Sequence, residues 1–106
     1  MKQDVIFSVD KDGLTAYIQC DVDHHTVRGM REAIDRRMAE LRPMRLIIDF
    51  SRVEFMDSSG LGLILGRVDR ASTLGSEVLV TGLSPRLMKL VRLAGIERVR
   101  HLSVVK

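Results

Sequence analysis

The amino-acid sequence predicts a single α/β domain, in which helices pack on a mixed β-sheet of about five strands. Three observations lead to this prediction. Two β-rich runs joined by a tight turn begin the chain, helix-like and strand-like segments then alternate three times, and no linker rich in proline, glycine or serine divides the 106 residues. We therefore treat residues 1–106 as one domain, which can bury a core without disulfides or a structural metal.

The first segment, Val5 to Val22, is a predicted β-hairpin. β-branched and aromatic residues fill both of its runs, and Lys11-Asp12-Gly13 supplies the turn between them. A helix follows, because the next apolar residues recur at steps of three or four and share one side. Asp23 or Thr26 can cap its start, and Pro43 ends it. Its apolar residues are Val27, Met30, Ile34, Met38 and Leu41.

The middle of the chain contains a strand, a helix and a second strand. Arg45 to Phe50 is a short apolar run with an acid near its end, which is typical of a central strand buried on both faces. A helix runs from Ser58 to Leu74 and ends at Gly75, since glycine readily adopts the left-handed conformation of a helix terminus. Glu77 to Thr81 is the next strand.

The last predicted helix carries signals at both of its ends. Ser84 can cap it, Pro85 occupies the first helical position, and Gly95 lies just past its end. Ile96 to Val105 then closes the chain with a last strand, which we place at an edge of the sheet.

Composition argues against a nucleic-acid partner. The net charge is +3 and the isoelectric point is about 9.5. Acidic residues are nevertheless interleaved with the basic ones, and no platform for stacking bases is visible. We interpret the local basic cluster as a solvated helix face. The cluster consists of Arg28, Arg31, Arg36, Arg37, Arg42 and Arg45.

No segment predicts a membrane span or an export signal. The longest apolar run, Phe55 to Gly66, is far shorter than the ~20 residues that cross a bilayer, and charged residues interrupt the N-terminal segment. Cys20 is the single cysteine, which fits a reducing compartment. It is more typical of a small buried apolar residue than of a reactive thiol. We therefore expect a cytoplasmic protein with no membrane partner.

The stretch FMDSSGLGLILGR, Phe55 to Arg67, places three glycines inside a helix. Each costs about 1 kcal/mol relative to alanine, so Gly60, Gly62 and Gly66 need a compensating reason. A face without side chains lets another segment approach, either the protein's own sheet or a partner. The spacing G-x-G-x-x-x-G differs from the dinucleotide fingerprint and from the P-loop, so we expect no nucleotide cofactor.

Ser58 and Ser59 begin this helix directly after Asp57. Asp57 can cap the free backbone N–H groups and leave a serine hydroxyl exposed. Both serines can be purely structural caps. Alternatively, a phosphate on Ser58 would meet the positive end of the helix dipole, so the fold would tolerate it while a docked partner would not. Physical chemistry alone does not decide whether Ser58 or Ser59 would accept the phosphoryl group.

Catalysis and metal binding find little support in the sequence. A serine nucleophile needs a base held by a third group, but the histidines are His24, His25 and His101 and the chain has no G-x-S-x-G elbow. His24 and His25 point about 100° apart on a helix and cannot easily share a metal ion. We expect neither a hydrolase nor a metal site, and His24 is left for capping or for a partner contact.

Together with DVDHHT, Asp21 to Thr26, the stretch FMDSSGLGLILGR resembles the anti-sigma factor antagonists of the STAS domain family, most closely the sporulation-type member. The order of helices and strands matches over the whole chain. The resemblance implies a non-enzymatic binding protein without a cofactor, which captures an anti-sigma factor and so releases a sigma factor of RNA polymerase. It also implies that the anti-sigma factor is a serine kinase that inactivates the antagonist, and that a metal-dependent serine phosphatase restores it.

By matching position, the resemblance implies that Ser58 is the phosphorylated residue and that its phosphorylation switches binding off. One feature departs from the family pattern, because Cys20 stands where the family often has glycine. We also expect the C-terminal helix seen in relatives to be short or absent. We expect the free protein to be a monomer. The expected partner contacts are Asp23, His24, Asp57, Ser58, Ser59, Gly60, Leu61 and Gly62.

Two alternatives within the same fold stay open. One is a scaffold subunit of a larger stress-signalling assembly, which size-exclusion chromatography would reveal as a multi-subunit particle. The other is a nucleotide-binding protein, suggested by the glycines and by activities of some relatives, which calorimetry would test.

Overall fold

The computed structural model describes residues 3–105, and the remaining ends of the predicted domain, residues 1–2 and 106, lie outside them. Its strands are β1 (Val5–Asp10), β2 (Gly13–Ile18), β3 (Arg45–Asp49), β4 (Glu77–Thr81) and β5 (Leu102–Val104). Its helices are α1 (Val27–Leu41), α2 (Ser58–Leu74) and α3 (Pro85–Leu93), and a 3-10 turn at Ile96–Arg98 precedes β5. The strands form one mixed sheet, so the predicted fold class is confirmed.

The strands lie in the sheet in the order in which they follow along the chain, from β1 to β5. β1 and β2 form an antiparallel hairpin, and the other neighbours are parallel. Connections between parallel neighbours are right-handed, so three successive connections in one direction place all three helices on the same face. β3 is central and β5 is an edge strand, as predicted.

The opposite face of the sheet is open, and this corrects one expectation. The strand from Arg45 to Phe50 was expected to be buried on both faces. Leu46 and Ile48 point toward the helices and are fully buried, whereas Ile47 and Asp49 are only partly buried. A single layer of helices covers one face, and a continuous apolar run does not reveal how many layers pack on a strand.

Two strands are shorter than predicted. β2 ends at Ile18, and Val22, the expected last residue of the hairpin, makes an isolated parallel bridge to Met56. β5 is shorter than Ile96 to Val105 because a 3-10 turn takes the first residues of that segment. Neither difference changes the order of the strands.

Local signals set the helix ends largely as predicted. The side chain of Ser84 accepts a hydrogen bond from a backbone N–H in the first turn of α3, and Pro85 begins that helix. Gly75 ends α2 with a φ of 76°. α1 ends with Arg42 in the left-handed conformation, directly before Pro43. Within residues 3–105, no helix is long and apolar enough to span a membrane.

The hydrophobic core lies between the sheet and the helices. Met30 and Met38 are fully buried, in agreement with their predicted position on the apolar side of α1. Alternate strand residues and one side of each helix supply the rest. These fully buried residues include Leu14, Ile18, Leu46, Ile48, Phe50, Leu63, Ile64, Leu87 and Val91.

An ion pair links α1 to α2. Arg67 of α2 is 4% exposed, and its Nε lies 2.8 Å from a carboxylate oxygen of Asp35 in α1. Burial lowers the pKa of Arg67, and the charge of Asp35 opposes that shift. The guanidinium therefore depends on Asp35, because a buried charge without a partner is costly.

Replacing Asp35 by alanine should leave Arg67 buried without its partner. We expect Asp35→Ala to lower the free energy of unfolding by about 3 kcal/mol. Glu32→Ala is the matched control, since it removes an exposed partner of Arg28 and should cost no more than about 0.5 kcal/mol. Urea denaturation followed by circular dichroism measures both values. Equal costs for the two variants would contradict the stabilising role of the Asp35 pair.

Candidate functional site

Two loops meet at the carboxyl edge of the parallel strands. The loop after β2 contains Val22, the loop after β3 contains Met56, and these residues form the isolated parallel bridge. The N–H of Val22 donates to the carbonyl oxygen of Phe55 at 3.1 Å, and the N–H of Asp57 donates to the carbonyl oxygen of Val22 at 3.2 Å. Asp23 and Asp57 each follow a bridge residue, so the bridge places them side by side.

Asp21 strengthens the connection between the loops. One oxygen of its carboxylate accepts hydrogen bonds from the N–H groups of Glu54 and Phe55, both at 3.0 Å. These bonds join residues more than thirty positions apart in the chain. The backbone before Asp57 is therefore fixed from the neighbouring loop.

Hydrogen bonds between Asp23 and Thr26 close the turn that precedes α1. One oxygen of Asp23 accepts from the N–H groups of His25 at 2.8 Å and Thr26 at 3.0 Å. The hydroxyl of Thr26 accepts from the N–H of Asp23 at 3.1 Å. The two backbone hydrogen bonds hold the pKa of the Asp23 carboxyl below its usual value. Of the two predicted capping residues, Asp23 binds the backbone N–H groups with its carboxylate, whereas the side chain of Thr26 makes no capping hydrogen bond to α1. Asp23 is therefore a fixed anion at this edge.

Asp57 caps α2 and leaves Ser58 free. Its backbone is extended, and its carboxylate accepts a hydrogen bond from the N–H of Ser59 at 2.7 Å. Ser58 is the first helical residue and is exposed, whereas Ser59 is partly buried. The arrangement matches the predicted one, in which the aspartate serves the backbone and a serine hydroxyl faces solvent.

The three glycines of α2 have different surroundings. Gly60 is buried, and a Cβ atom there would overlap the side chain of Met56. Gly62 and Gly66 have no atom within 4 Å of the position where a Cβ would lie. Only Gly60 is explained by close packing within the protein. Ser58, Gly62 and Gly66 follow at steps of four residues, so a stripe bare of side chains continues from Ser58 along α2.

Some of the predicted contact residues are accessible to a partner, and others hold the accessible ones in place. Asp23, Asp57, Ser59 and Leu61 are partly exposed, and Gly60 is support because it is buried. Leu61 packs against the core from its half-buried position. The fully exposed members of the set are His24, Ser58 and Gly62.

Negative charge dominates this edge of the sheet. Asp21, Asp23, Glu54 and Asp57 all lie in the two joined loops, and we refer to them as the acidic edge. Phe55 lies between two of these acids and is 51% exposed. A protein partner with basic groups and an apolar recess fits such a surface.

Among residues 3–105, no hydrogen bond joins a histidine side chain to Ser58. His101 contacts Glu77, with 3.1 Å between the ring Nδ1 and the nearer carboxylate oxygen, and it precedes β5, at the opposite edge of the sheet. The rings of His24 and His25 have centroids 3.9 Å apart. The part of the chain that the structure describes holds no group of three or more metal-ligating side chains.

Asp21 and Phe55 are site residues whose roles the sequence did not show. The partners of Asp21 lie in a distant segment, and no local spacing reports them. Phe55 was assigned only to the apolar run. Its exposure could have been suspected because Val53 and Met56, which flank it at short spacing, already supply the buried side chains of this loop.

Known proteins are similar to this chain over most of its length. The model of the family described as the STAS domain matches residues 7–104. An anti-sigma F factor antagonist from Paenibacillus polymyxa is 35% identical over 83 residues, which cover 74% of this chain and 68% of that protein. An anti-sigma-B factor antagonist from Listeria monocytogenes is 28% identical over 97 residues, which cover 92% of this chain and 84% of that protein.

Solved structures show the same fold. The anti-sigma factor antagonist SpoIIAA in its unphosphorylated form superposes with a TM-score of 0.79 at 24% identity, covering 96% of this chain and 88% of that one. The phosphorylated form of the Bacillus SpoIIAA gives a TM-score of 0.71 at 24% identity, covering 96% and 91%.

Cys20, which was expected to be buried, is a half-buried thiol just before the first loop of the site. Its Sγ lies 3.5 Å from a carboxylate oxygen of Asp4. Burial, and after it the charge of Asp4, raises the pKa of the Cys20 thiol from 9.0 to about 11. At neutral pH the thiol is therefore protonated and weakly nucleophilic.

We expect iodoacetamide to alkylate Cys20 about a hundredfold more slowly than an unstructured cysteine peptide near pH 8, because the thiolate fraction falls by that factor. Mass spectrometry over time measures the rate. Asp4→Asn should raise it, since the variant removes one cause of the shift. Alkylation of the native chain at the rate of the peptide would contradict the raised pKa.

Proposed function

This chain belongs to the STAS domain family, and from that premise we propose that it is an anti-sigma factor antagonist controlled by phosphorylation of Ser58. The unphosphorylated form binds an anti-sigma factor through the edge that carries Ser58, and the phosphorylated form releases it. The names of the relatives from Paenibacillus and Listeria support this regulatory, non-catalytic role. The observation that carries the proposal is the exposed hydroxyl of Ser58 at the capped start of α2.

The fold can accept a phosphate on Ser58 without rearrangement. The N-terminus of a helix carries about half a positive charge, and a phosphate adds a charge of about −1.5 to −2. Asp57 already holds the N–H of Ser59, so the phosphate need not replace the cap. The modification therefore acts on whatever docks at this edge and leaves the protein's own packing in place.

The charge of the acidic edge decides how phosphorylation releases the partner. A partner that fits four carboxylates presents basic groups, and these attract a phosphate as well. Repulsion of like charges is therefore a minor cause of release. The stronger cause is the space and hydration that the phosphate requires beside Gly62, where the open helix surface lets the partner approach closely.

Three proteins complete the proposed cycle. The anti-sigma factor is also the serine kinase that modifies Ser58, and a metal-dependent serine phosphatase removes the phosphate. The sigma factor is the protein that becomes free when the antagonist captures the anti-sigma factor. We place the cycle in the cytoplasm, where RNA polymerase works, and it requires from this chain no cofactor and no contact to nucleic acid.

Phosphorylation by the anti-sigma kinase and ATP tests the site directly. We expect the intact mass to show one added phosphoryl group on the native chain and on Ser59→Ala, and none on Ser58→Ala, because Ser58 is exposed whereas Ser59 is partly buried. Peptide mapping confirms the position. Loss of the group in Ser59→Ala instead, or no reaction with a kinase that is active on another substrate, would contradict the proposal.

The substitution Gly62→Ala should have opposite effects on the stability of the fold and on the binding of the anti-sigma factor. The added methyl group should stabilise α2 by about 1 kcal/mol and should weaken binding of the anti-sigma factor at least tenfold, because it occupies the bare stripe. Gly29→Ala is the control, since Gly29 is also helical with open space around it and lies near Phe7 of β1. It should stabilise the fold similarly and leave binding unchanged. Calorimetric titration measures the affinities, and equal affinities of the two variants would show that the partner does not approach Gly62.

A further inference from the structure

The last part of the chain is basic. Residues 82–105 contain five basic residues and one acidic residue, a net charge of +4, whereas residues 3–81 contain ten basic and thirteen acidic residues, a net charge of −3. The five basic side chains are all exposed, and they are Arg86, Lys89, Arg92, Arg98 and Arg100. Three of them, Arg86, Lys89 and Arg92, lie on α3, and we refer to these three as the basic face.

The basic face contains an apolar recess. A cavity of about 490 Å³ is lined by the side chains of Pro85, Met88 and Leu93, with Lys89 and Arg92 beside them. Leu93, which follows Arg92 and lies one helical turn after Lys89, is 78% exposed. The opposite side of α3 is fixed in the core. The recess therefore belongs to a rigid surface that needs no rearrangement to receive an apolar group.

The acidic edge has the complementary features. Phe55 projects from it, 51% exposed, between Glu54 and Asp57. The hydrogen bonds from Glu54 and Phe55 to Asp21 hold this loop in place. A recess lined by cations can accept an apolar side chain that lies between carboxylates. Because both surfaces are already held in place, the entropic cost of the contact is lower.

We infer that the acidic edge of one copy of this chain docks on the basic face of a second copy, with Phe55 in the recess and Glu54 beside Lys89. The two surfaces differ, so the contact is head-to-tail and can add further copies. It is small, so the chain is monomeric at low concentration and associates toward the millimolar range. The docked copy covers Ser58. A second copy and the anti-sigma factor then compete for the same edge, although the contact itself does not depend on the proposed function.

Other anionic occupants fit the basic face less well. Residues 82–105 contain no Phe, Tyr or Trp on which nucleic-acid bases could stack. A lipid surface is flat and would leave a concave apolar recess unfilled. The experiment below distinguishes these occupants from a second copy.

Sedimentation equilibrium of the complete chain tests the inference. We expect the average mass to rise with concentration in about 0.01 M salt and to fall toward the monomer in about 1 M salt, because the Debye length shrinks from about 30 Å to about 3 Å. Glu54→Lys and Lys89→Glu should each lose the association, while Arg36→Glu, an exposed charge reversal on α1, serves as control and should weaken it far less.

A mixture of the two variants gives the sharpest result. Glu54→Lys retains its basic face and Lys89→Glu retains its acidic edge, so equal amounts should associate although neither variant does so alone. The double variant should associate again, because both charges of the pair are reversed. Association of the single variants at the native level would overturn the inference by placing the contact elsewhere. A monomer at about 1 mM would also overturn it, whether or not the chain then bound duplex DNA or phosphatidylglycerol vesicles.

Discussion

The bridge between Val22 and Met56, with the carboxylate of Asp21, is the interaction on which the site depends. Two loops that follow neighbouring parallel strands end at the same edge of the sheet, but their proximity alone does not orient their side chains. The bridge and the Asp21 hydrogen bonds fix both backbones. Asp23 and Ser58 therefore lie on one surface although they are far apart in the chain.

The same constraint explains how a small protein can respond to one modification without refolding. The start of α1 is closed by Asp23 and Thr26, and the start of α2 is closed by Asp57. A group added at Ser58 meets a helix end that is already satisfied and a dipole that favours negative charge. The added group therefore affects the partner surface that approaches the bare stripe of α2. The open face of the sheet and the basic face of α3 lie outside this arrangement.

Features set by residues close together in the sequence could be predicted, whereas features set by distant residues could not. Helix ends set by neighbouring residues, such as Asp57 before α2 and Ser84-Pro85 before α3, could be read directly. The β-α alternation predicted the mixed sheet, and the residue pattern predicted the central position of β3 and the edge position of β5. The burial of β3 on one face could not be predicted, because it depends on all three connections running in the same direction across the sheet. The role of Asp21 was also beyond local patterns, since the groups it binds come from the next βα unit.

Comparison of amide chemical shifts between the unmodified chain and the chain phosphorylated on Ser58 tests the central claim most directly. A switch that leaves the fold in place predicts shift changes confined to residues 21–26 and 54–62, the two joined loops and the first turn of α2. The other amide shifts should stay where they are. Changes spread through the strands and α3, or loss of the dispersed spectrum, would contradict the account, because phosphorylation would then act by rearranging the protein.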